Sequence, residues 1–446
     1  MYSNRRRSHA RQAALSATVG LLLAGAAAVP AHADSVRHQQ WFLDAMKAEQ
    51  MWQTSTGKGI TVAVIDTGVN ADHPDLKGRV LPGKDMATDK PGDEHTDYEG
   101  HGTGMAGLIA GTGARAGGNG AYGLAPGARI LPIRLPREDG LSQAEGNKDL
   151  AEKSLPAAIR YAADAGAKVI NISQASTANS AELTAAVRYA LDKGSLIFAA
   201  VGNEAEQGNP VEYPAATPGV VGVAAVGKDL KRTAESEYGS QVDVAAPGED
   251  MVAACGAKTG LCRDHGTSGA TALASASAAL IWSTHPKWTN NQILKVMLNT
   301  IGAPVDGSER TDAIGHGIVR PRIALTNPGN PGPADTYPLP DFPVKATTPP
   351  SSPAPVAGHG RDGATVAKED NGSTVLGVVA GVGAVVLLSA VAALAVMRRR
   401  RRTGAASHRS APPGQISQPG QSYATPPQGG LTGPHGQDRA DSRRSF

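Results

Sequence analysis

The chain has 446 residues, 40% of them hydrophobic, which is enough to bury the core of a large domain. Its net charge of +3 is unevenly distributed, because four arginines precede residue 34 and the segment after residue 397 carries a net +7. Residues 34–397 are therefore left at −8. Nucleic-acid binding requires a basic face, so this acidic central region argues against that class of function.

Residues 1–33 have the pattern of a secretory signal peptide. A basic patch precedes a small-residue apolar run over residues 13–29, and Ala31-His32-Ala33 fits a signal-peptidase site. Cleavage there would leave Asp34 as the mature N-terminus. A retained membrane helix is the alternative, but the run is short and alanine-rich. The arginines do not distinguish Sec from twin-arginine export.

The region from residue 60 to about residue 326 predicts an α/β domain. Short apolar runs alternate with helix-like segments, the pattern of a doubly wound parallel sheet with helices on both faces. Residues 34–59 form a short N-terminal extension, whose apolar side chains we expect to pack on this domain. The predicted strands are Ile60–Ile65, Arg129–Leu135, Lys168–Ile172, Leu196–Val201, Val220–Val226 and Val242–Ala245, and helices are predicted to begin near His101, Asp149, Ser180, Ser268 and Thr289.

Asp66 ends the first predicted strand, within Val62-Ala63-Val64-Ile65-Asp66-Thr67-Gly68. Open α/β sheets bind ligands at the carboxyl ends of their strands, so this carboxylate is a candidate functional group. An aspartate here could instead only cap the next helix. The triplet Asp-Thr-Gly also occurs in aspartic proteases, but these need a second catalytic aspartate, and this chain has no second copy of the triplet.

Two further motifs each place a reactive side chain at the predicted start of a helix. His101-Gly102-Thr103-Gly104 offers an imidazole, which suits a general base because its pKa lies near neutrality. Ser268, in Gly266-Thr267-Ser268-Gly269-Ala270, opens an alanine-rich helix whose backbone N–H groups would stabilise a nearby negative charge. Taken singly, the histidine could be structural and the serine only a helix cap.

The two cysteines of the chain, Cys255 and Cys262, lie seven residues apart. Export would place both in an oxidising compartment, so we predict a short-loop disulfide that constrains the segment leading to Ser268. Two free buried thiols are the alternative, because spacing alone does not exclude them.

The C-terminal part of the chain predicts a stalk, a membrane anchor and a tail. Residues 327–373 are proline-rich, with ten prolines between Pro328 and Pro355, and predict an extended spacer. Residues 374–397 contain no charge and are long enough for one transmembrane helix. Five arginines follow at once, which predicts a disordered cytoplasmic tail over residues 398–446 and an extracellular catalytic domain at the cell membrane.

The motifs occur in the order Asp66, His101, Ser268 and together resemble the subtilisin family of serine proteases. The segment Ala199-Ala200-Val201-Gly202-Asn203-Glu204, followed by Tyr213-Pro214-Ala215, is similar to the family's oxyanion-asparagine segment. The resemblance covers the chain from about residue 41 to residue 325. It implies Asp66, His101 and Ser268 as a catalytic triad and Asn203 as the side chain that faces the tetrahedral intermediate.

Departures from the family pattern affect specificity and metal binding. The segment Ser173, Gln174, Ala175 takes the place of the glycine-rich strand that lines the substrate cleft in better-known members. Gly104 stands where secreted subtilisins usually have a second histidine, and Ala272 where the serine helix usually carries proline. Asp75 resembles a family calcium ligand, but the loop over residues 115–122 does not resemble the family's calcium loop. We therefore predict no cofactor and assign no metal ligand; calcium is the alternative that Asp75 leaves open, but the loop does not support it.

The arrangement of segments is similar to that of mycosins, the membrane-anchored subtilisins of type VII secretion systems. The N-terminal extension is too short for the folded inhibitory pro-domain of typical secreted subtilisins. The resemblance implies a serine endopeptidase that cleaves secreted or cell-envelope proteins or peptides and is linked to a type VII secretion complex. The alternative that it implies is a structural component that stabilises a membrane secretion complex.

Overall fold

A seven-stranded parallel sheet forms the centre of the computed structural model, which describes residues 35–88, 90–136, 141–256 and 259–342. In chain order, β1 to β7 are Thr61–Asp66, Lys84–Asp85, Arg129–Arg134, Val169–Ile172, Leu196–Ala200, Val221–Val226 and Val244–Pro247. The strands lie in the order β2-β3-β1-β4-β5-β6-β7, and all pairs are parallel. The predicted α/β fold with a parallel sheet is thus confirmed.

The central strands are buried on both faces. Consecutive strand residues point to opposite sides of a sheet, and every residue of β4, β5 and β6 is buried. Both sides must therefore be covered, which is why these strands read as unbroken apolar runs. The six predicted strands lie within two residues of observed ones. The two-residue edge strand β2 was not predicted, because it has no apolar run of its own.

Helices cover the sheet in two groups. The helices that begin at His101 and at Thr267 pack on each other and on the sheet, and the helices that begin at Leu155 and at Ala181 form a second pair. In chain order, α1 to α10 are Val36–Gln39, Trp41–Met46, Ala48–Trp52, His101–Ala110, Gln143–Asp149, Leu155–Asp164, Ala181–Asp192, Thr267–Thr284, Asn290–Asn299 and Pro321–Thr326, with single turns at Arg115–Gly118, Leu150–Ser154 and Ala205–Gln207.

The N-terminal extension packs on the domain. Phe42, Leu43 and Met46 of α2 are buried in the main core, and Trp41 packs against it. The fully buried Gln40 side chain donates to the carbonyls of Tyr122 and Val252 at 2.7 and 3.0 Å. The extension is therefore an integral layer of the domain.

An antiparallel hairpin, formed by β8 (Met251–Ala254) and β9 (Leu261–Asp264), precedes the long helix α8. The sequence did not predict it, because β9 has no buried residue and no apolar pattern. β8 packs against α4. The predicted disulfide between Cys255 and Cys262 is present beside this hairpin, with Cα atoms 5.7 Å apart.

Residues 327–342, called here the C-terminal strap, lie on the domain surface although the sequence predicted that a stalk begins at residue 327. Tyr337 and Leu339 are buried, and the Tyr337 hydroxyl donates to the Gly219 carbonyl at 2.9 Å. The Gly219 N–H donates to Asp341 Oδ2 at 3.1 Å. The packed domain therefore extends to residue 342, because the strap carries apolar side chains between its prolines.

None of the helices in the described part of the chain is long and apolar enough to cross a bilayer. The predicted signal peptide, the remainder of the stalk, the transmembrane segment 374–397 and the tail all lie outside the described residues.

Candidate active site

Asp66 lies at the carboxyl end of β1, between β3 and β4. Its neighbour Ile65 is paired with Ile133 of β3 on one side and Ile172 of β4 on the other. After β1 the chain forms β2 and β3 on one side of it, and then β4 to β7 on the other side. The carboxyl edge of β1 is therefore the topological switch point, where such sheets bind ligands. The Asp66 side chain is fully buried.

His101 is the first residue of α4 and faces Asp66. Its Nδ1 lies 2.8 Å from Asp66 Oδ1, an oxygen that also accepts the Thr67 N–H at 2.8 Å. Glycine at 102 permits this approach, because a Cβ there would overlap the Gly68 carbonyl oxygen and lie 3.1 Å from Asp66 Cβ. The short contact orients the imidazole and directs Nε2 away from the aspartate.

Asp97 holds the two segments of this pair together. One carboxylate oxygen accepts the Thr67 hydroxyl and the Gly100 N–H, each at 2.8 Å. The other accepts the Thr103 N–H at 2.8 Å and the Thr103 hydroxyl at 2.6 Å. Asp97 thus joins the loop after β1 to the start of α4. The sequence does not single out Asp97, because it lies in a polar loop four residues before His101.

The electrostatics of the pair favour a charged imidazole. Burial of the ring lowers the pKa of His101, but the charge and hydrogen bond of Asp66 outweigh it, and the pKa is raised from 6.5 to about 9. Asp264 and Asp97 act in the same direction. The site therefore stabilises the imidazolium that a general base forms when it accepts a proton.

Ser268 lies in the first turn of α8, the helix that packs against α4. It is 8% exposed, at the amino end of an 18-residue helix whose dipole favours negative charge there. Among the described side chains no hydrogen bond joins Ser268 to His101, a gap that commonly closes when substrate binds. The structure thus brings the three predicted triad residues to one edge of the sheet.

The side-chain amide of Asn203 is anchored directly beside Ser268. Its Oδ1 accepts the Thr267 N–H at 2.9 Å and the Thr267 hydroxyl at 3.1 Å. Gly266 makes room for it, because a Cβ at that position would lie 2.7 Å from Asn203 Oδ1. With the oxygen fixed, the NH₂ group is left to donate to a charge that forms near Ser268.

The predicted cleft residues Ser173, Gln174 and Ala175 follow β4 at the same edge of the sheet and are half-buried. Ser176, which comes next, forms an antiparallel bridge with Tyr213, with N–H to O distances of 2.9 and 2.8 Å. The segment after Asn203 and the cleft segment are therefore tied together.

Asp75, the residue that resembles a family calcium ligand, binds the backbone of the following loop. Its Oδ1 accepts the Arg115 N–H at 2.7 Å, and its Oδ2 accepts the Ala121 N–H at 3.0 Å. Asp75 therefore anchors the loop over residues 115–122 to the domain.

Glu204, Glu212 and Glu237 form a group that the sequence did not reveal, called here the glutamate cluster. One carboxylate oxygen from each lies within 4.8 Å of the others, and in the described part of the chain this is the one group of metal-ligand type. Glu237 is fully buried, while Glu204 and Glu212 are half-buried. The three are up to 33 residues apart in sequence, so only the fold brings them together.

This sheet and this site define a subtilisin-type hydrolase architecture. The family model described as the subtilase family matches residues 57–322, and the chain belongs to this family. Fervidolysin from Fervidobacterium pennivorans is 32% identical over 321 residues, which are 67% of this chain and 45% of fervidolysin. The chain spans less than two thirds of the length of the curated relatives that it first matches.

Solved structures of mycosins are similar to this chain in fold and sequence. The MycP3 protease of the type VII (ESX-3) secretion system is 34% identical with a TM-score of 0.57, and the match covers 64% of this chain and 88% of that one. The periplasmic assembly of the ESX-5 inner membrane complex contains a chain that is 28% identical, with a TM-score of 0.58 and coverage of 70% and 89%. The predicted likeness to mycosins is confirmed.

Proposed function

We propose that this protein is a membrane-anchored serine endopeptidase that hydrolyses peptide bonds of secreted or cell-envelope proteins. The 2.8 Å contact between His101 Nδ1 and buried Asp66 carries the proposal, because this contact fixes the tautomer that leaves Nε2 as a base. Membership in the subtilase family and the anchored Asn203 amide support it.

The residues divide the reaction between them. Ser268 Oγ attacks the scissile carbonyl while His101 accepts its proton, and the new C–O bond places the negative charge on the former carbonyl oxygen. The Asn203 amide and the Ser268 N–H donate to that oxyanion. His101 then returns the proton to the departing amine, and a water molecule repeats the sequence to release the acyl group from Ser268.

A fluorophosphonate probe tests this chemistry directly. We expect labelling of the purified chain at Ser268 and no labelling of Ser268→Ala. Ser142→Ala is the control: it removes an exposed hydroxyl that is distant from Ser268 in sequence, and its labelling should be normal. Peptide hydrolysis should fall about 10⁶-fold in Ser268→Ala, the loss known for the nucleophile of subtilisin. If the probe does not react and no peptide of a diverse library is cleaved, the proposal is wrong.

A structural role in a secretion complex is a second candidate, supported by the likeness to a chain in the ESX-5 periplasmic assembly. Comparing Ser268→Ala with deletion of the whole chain in the host separates the two roles. If secretion of the partner substrates persists in Ser268→Ala but stops on deletion, the main role is structural. If it stops in both, with Ser268→Ala protein present at normal abundance, peptide hydrolysis is required.

A further inference from the structure

Two threonine hydroxyls link the loop after β1 to the first turn of α4. The Thr67 hydroxyl, which directly follows Asp66 in sequence, accepts the Gly102 N–H at 3.0 Å. In the opposite direction, the Thr103 hydroxyl of α4 accepts the Asn70 N–H at 3.0 Å. These two threonine bridges fasten the segment that carries the aspartate to the helix that carries the histidine.

Asp97 sets the direction of both threonine bridges. A hydroxyl has one proton to donate, and both threonines donate it to Asp97, Thr67 at 2.8 Å and Thr103 at 2.6 Å. Their oxygen lone pairs are therefore left to accept the backbone N–H groups of the opposite segment. A carboxylate suits this position because both of its oxygens accept, whereas an amide has only one oxygen and donates from its nitrogen.

Asp97 also caps α4 from outside the helix. The first N–H groups of a helix have no partner within it, and the N-cap residue of α4 is Gly100, which has no side chain to offer. Asp97 accepts the Thr103 N–H and the Gly100 N–H, each at 2.8 Å. Its negative charge thus lies at the amino end of α4, where the helix dipole is positive.

This charge matters because His101 is the first residue of α4. A helix dipole disfavours a cation at that position, and the imidazolium formed during the reaction is a cation. Burial lowers the pKa of the ring, while Asp66 of β1, Asp264 of β9 and Asp97 each raise it. Asp97 is bonded to backbone N–H groups of the helix itself, so its charge offsets the dipole where the dipole acts on the ring.

We propose that Asp97 is a positioning residue of the reaction, which holds His101 against Asp66 through the threonine bridges and stabilises the imidazolium by its charge. This inference rests on the proposed endopeptidase function. It expects two effects when the charge of Asp97 is removed. The imidazole becomes a weaker base, and the reaction becomes slower even when every ring is neutral.

The rate at which a fluorophosphonate labels Ser268 tests the inference on the full chain in detergent. Measured from about pH 6 to pH 10, the wild-type rate should rise with the neutral fraction of His101 and reach a plateau, with its midpoint near pH 9. In Asp97→Asn the midpoint should move to lower pH, because the charge that helps to hold the proton is gone. The plateau should fall about 10- to 100-fold, as for lost hydrogen bonds to a charged group.

Three further variants separate the bridges from the charge. Thr67→Val removes one bridge and keeps the charge of Asp97, so the plateau should fall about tenfold while the midpoint moves less than in Asp97→Asn. Thr67→Ser keeps the hydroxyl and should recover most of that loss. Asp72→Asn is the matched control, because it removes an exposed carboxylate from the loop after β1, and it should keep the wild-type midpoint and plateau.

Thermal melts and the final extent of labelling check that each variant is folded. An Asp97→Asn profile equal to that of the wild type would overturn the inference and leave the proposed function intact. A lower plateau with an unchanged midpoint and a lower melting temperature would also overturn it, because a purely structural residue gives that result. If the wild type is not labelled at any pH, the endopeptidase function is wrong and the inference fails with it.

Discussion

At the scale of single residues, His101 shows how the site balances opposing effects. Burial disfavours the charged ring, yet Asp66 at 2.8 Å, with Asp97 and Asp264 nearby, raises the pKa to about 9. The general base must be neutral to accept the serine proton, so the free enzyme is active only in the fraction of molecules that has lost this proton. Strong stabilisation of the imidazolium therefore moves activity to alkaline pH.

We predict that kcat/KM for a peptide with a neutral residue before the cleaved bond rises with pH and reaches half its maximum near pH 9, well above 6.5. Asp66→Asn should move the midpoint to lower pH, because it removes the charge that holds the proton. It should also lower turnover about 10⁴-fold, since the wrong tautomer is then favoured. Measuring pH–rate profiles of both proteins checks this.

Thermal melts of the same samples check that both proteins are folded. A wild-type profile that is already flat above pH 7 would contradict the pKa assigned to His101.

The sequence could single out the candidate triad residues and Asn203 because each lies in a short motif at a strand end or helix start. It could not identify the glutamate cluster. Glu204, Glu212 and Glu237 lie in three separate segments, and each alone is an ordinary polar position. Their common environment depends on the left-handed backbone at Gly202 and on the pairing of Glu237 with it, which local patterns do not encode.

At the scale of elements, the C-terminal strap marks where composition misleads. Its prolines and low apolar content predicted a spacer, because proline-rich segments are usually extended and solvated. Tyr337 and Leu339 nevertheless reach the core, and Asp341 accepts the Gly219 N–H beside β6. A few apolar side chains at the right spacing suffice to dock a segment on the domain. The average composition of a proline-rich segment does not reveal them. The six main strands were predictable because both of their faces are buried.

We predict that a soluble fragment of residues 35–342 is more stable than one of residues 35–326. The longer fragment buries Tyr337 and Leu339, and burial of two large apolar side chains is worth about 3 kcal/mol or more of unfolding free energy. Urea unfolding followed by tryptophan fluorescence measures the difference.

The variant pair Leu339→Ala and Leu141→Ala provides a control in the longer fragment, since Leu339 is buried and Leu141 is exposed. Only the first should lower the urea midpoint. Equal midpoints for the two fragments would show that the strap contributes nothing to stability.

At the scale of the whole chain, charge is distributed by segment. Residues 34–397 carry −8, while the segment after residue 397 carries a net +7 and begins with five arginines. Arginine clusters next to an apolar run remain on the cytoplasmic side, because moving them across the bilayer is costly. We propose that the acidic catalytic domain lies on the other side of the membrane, where its negative charge would attract basic segments of exported proteins.

Alkaline phosphatase folds into its active form only when it is exported. We therefore predict that this enzyme is active in cells when fused after residue 373 and inactive when fused after residue 446. Replacing Arg398–Arg402 by glutamine should raise the activity of the second fusion, since the charges that hold the tail inside are then lost. Replacing Arg439, Arg443 and Arg444 is the matched control and should change little, because these arginines lie far from the apolar run. High activity of the unaltered fusion at residue 446 would place the tail outside and contradict the predicted topology.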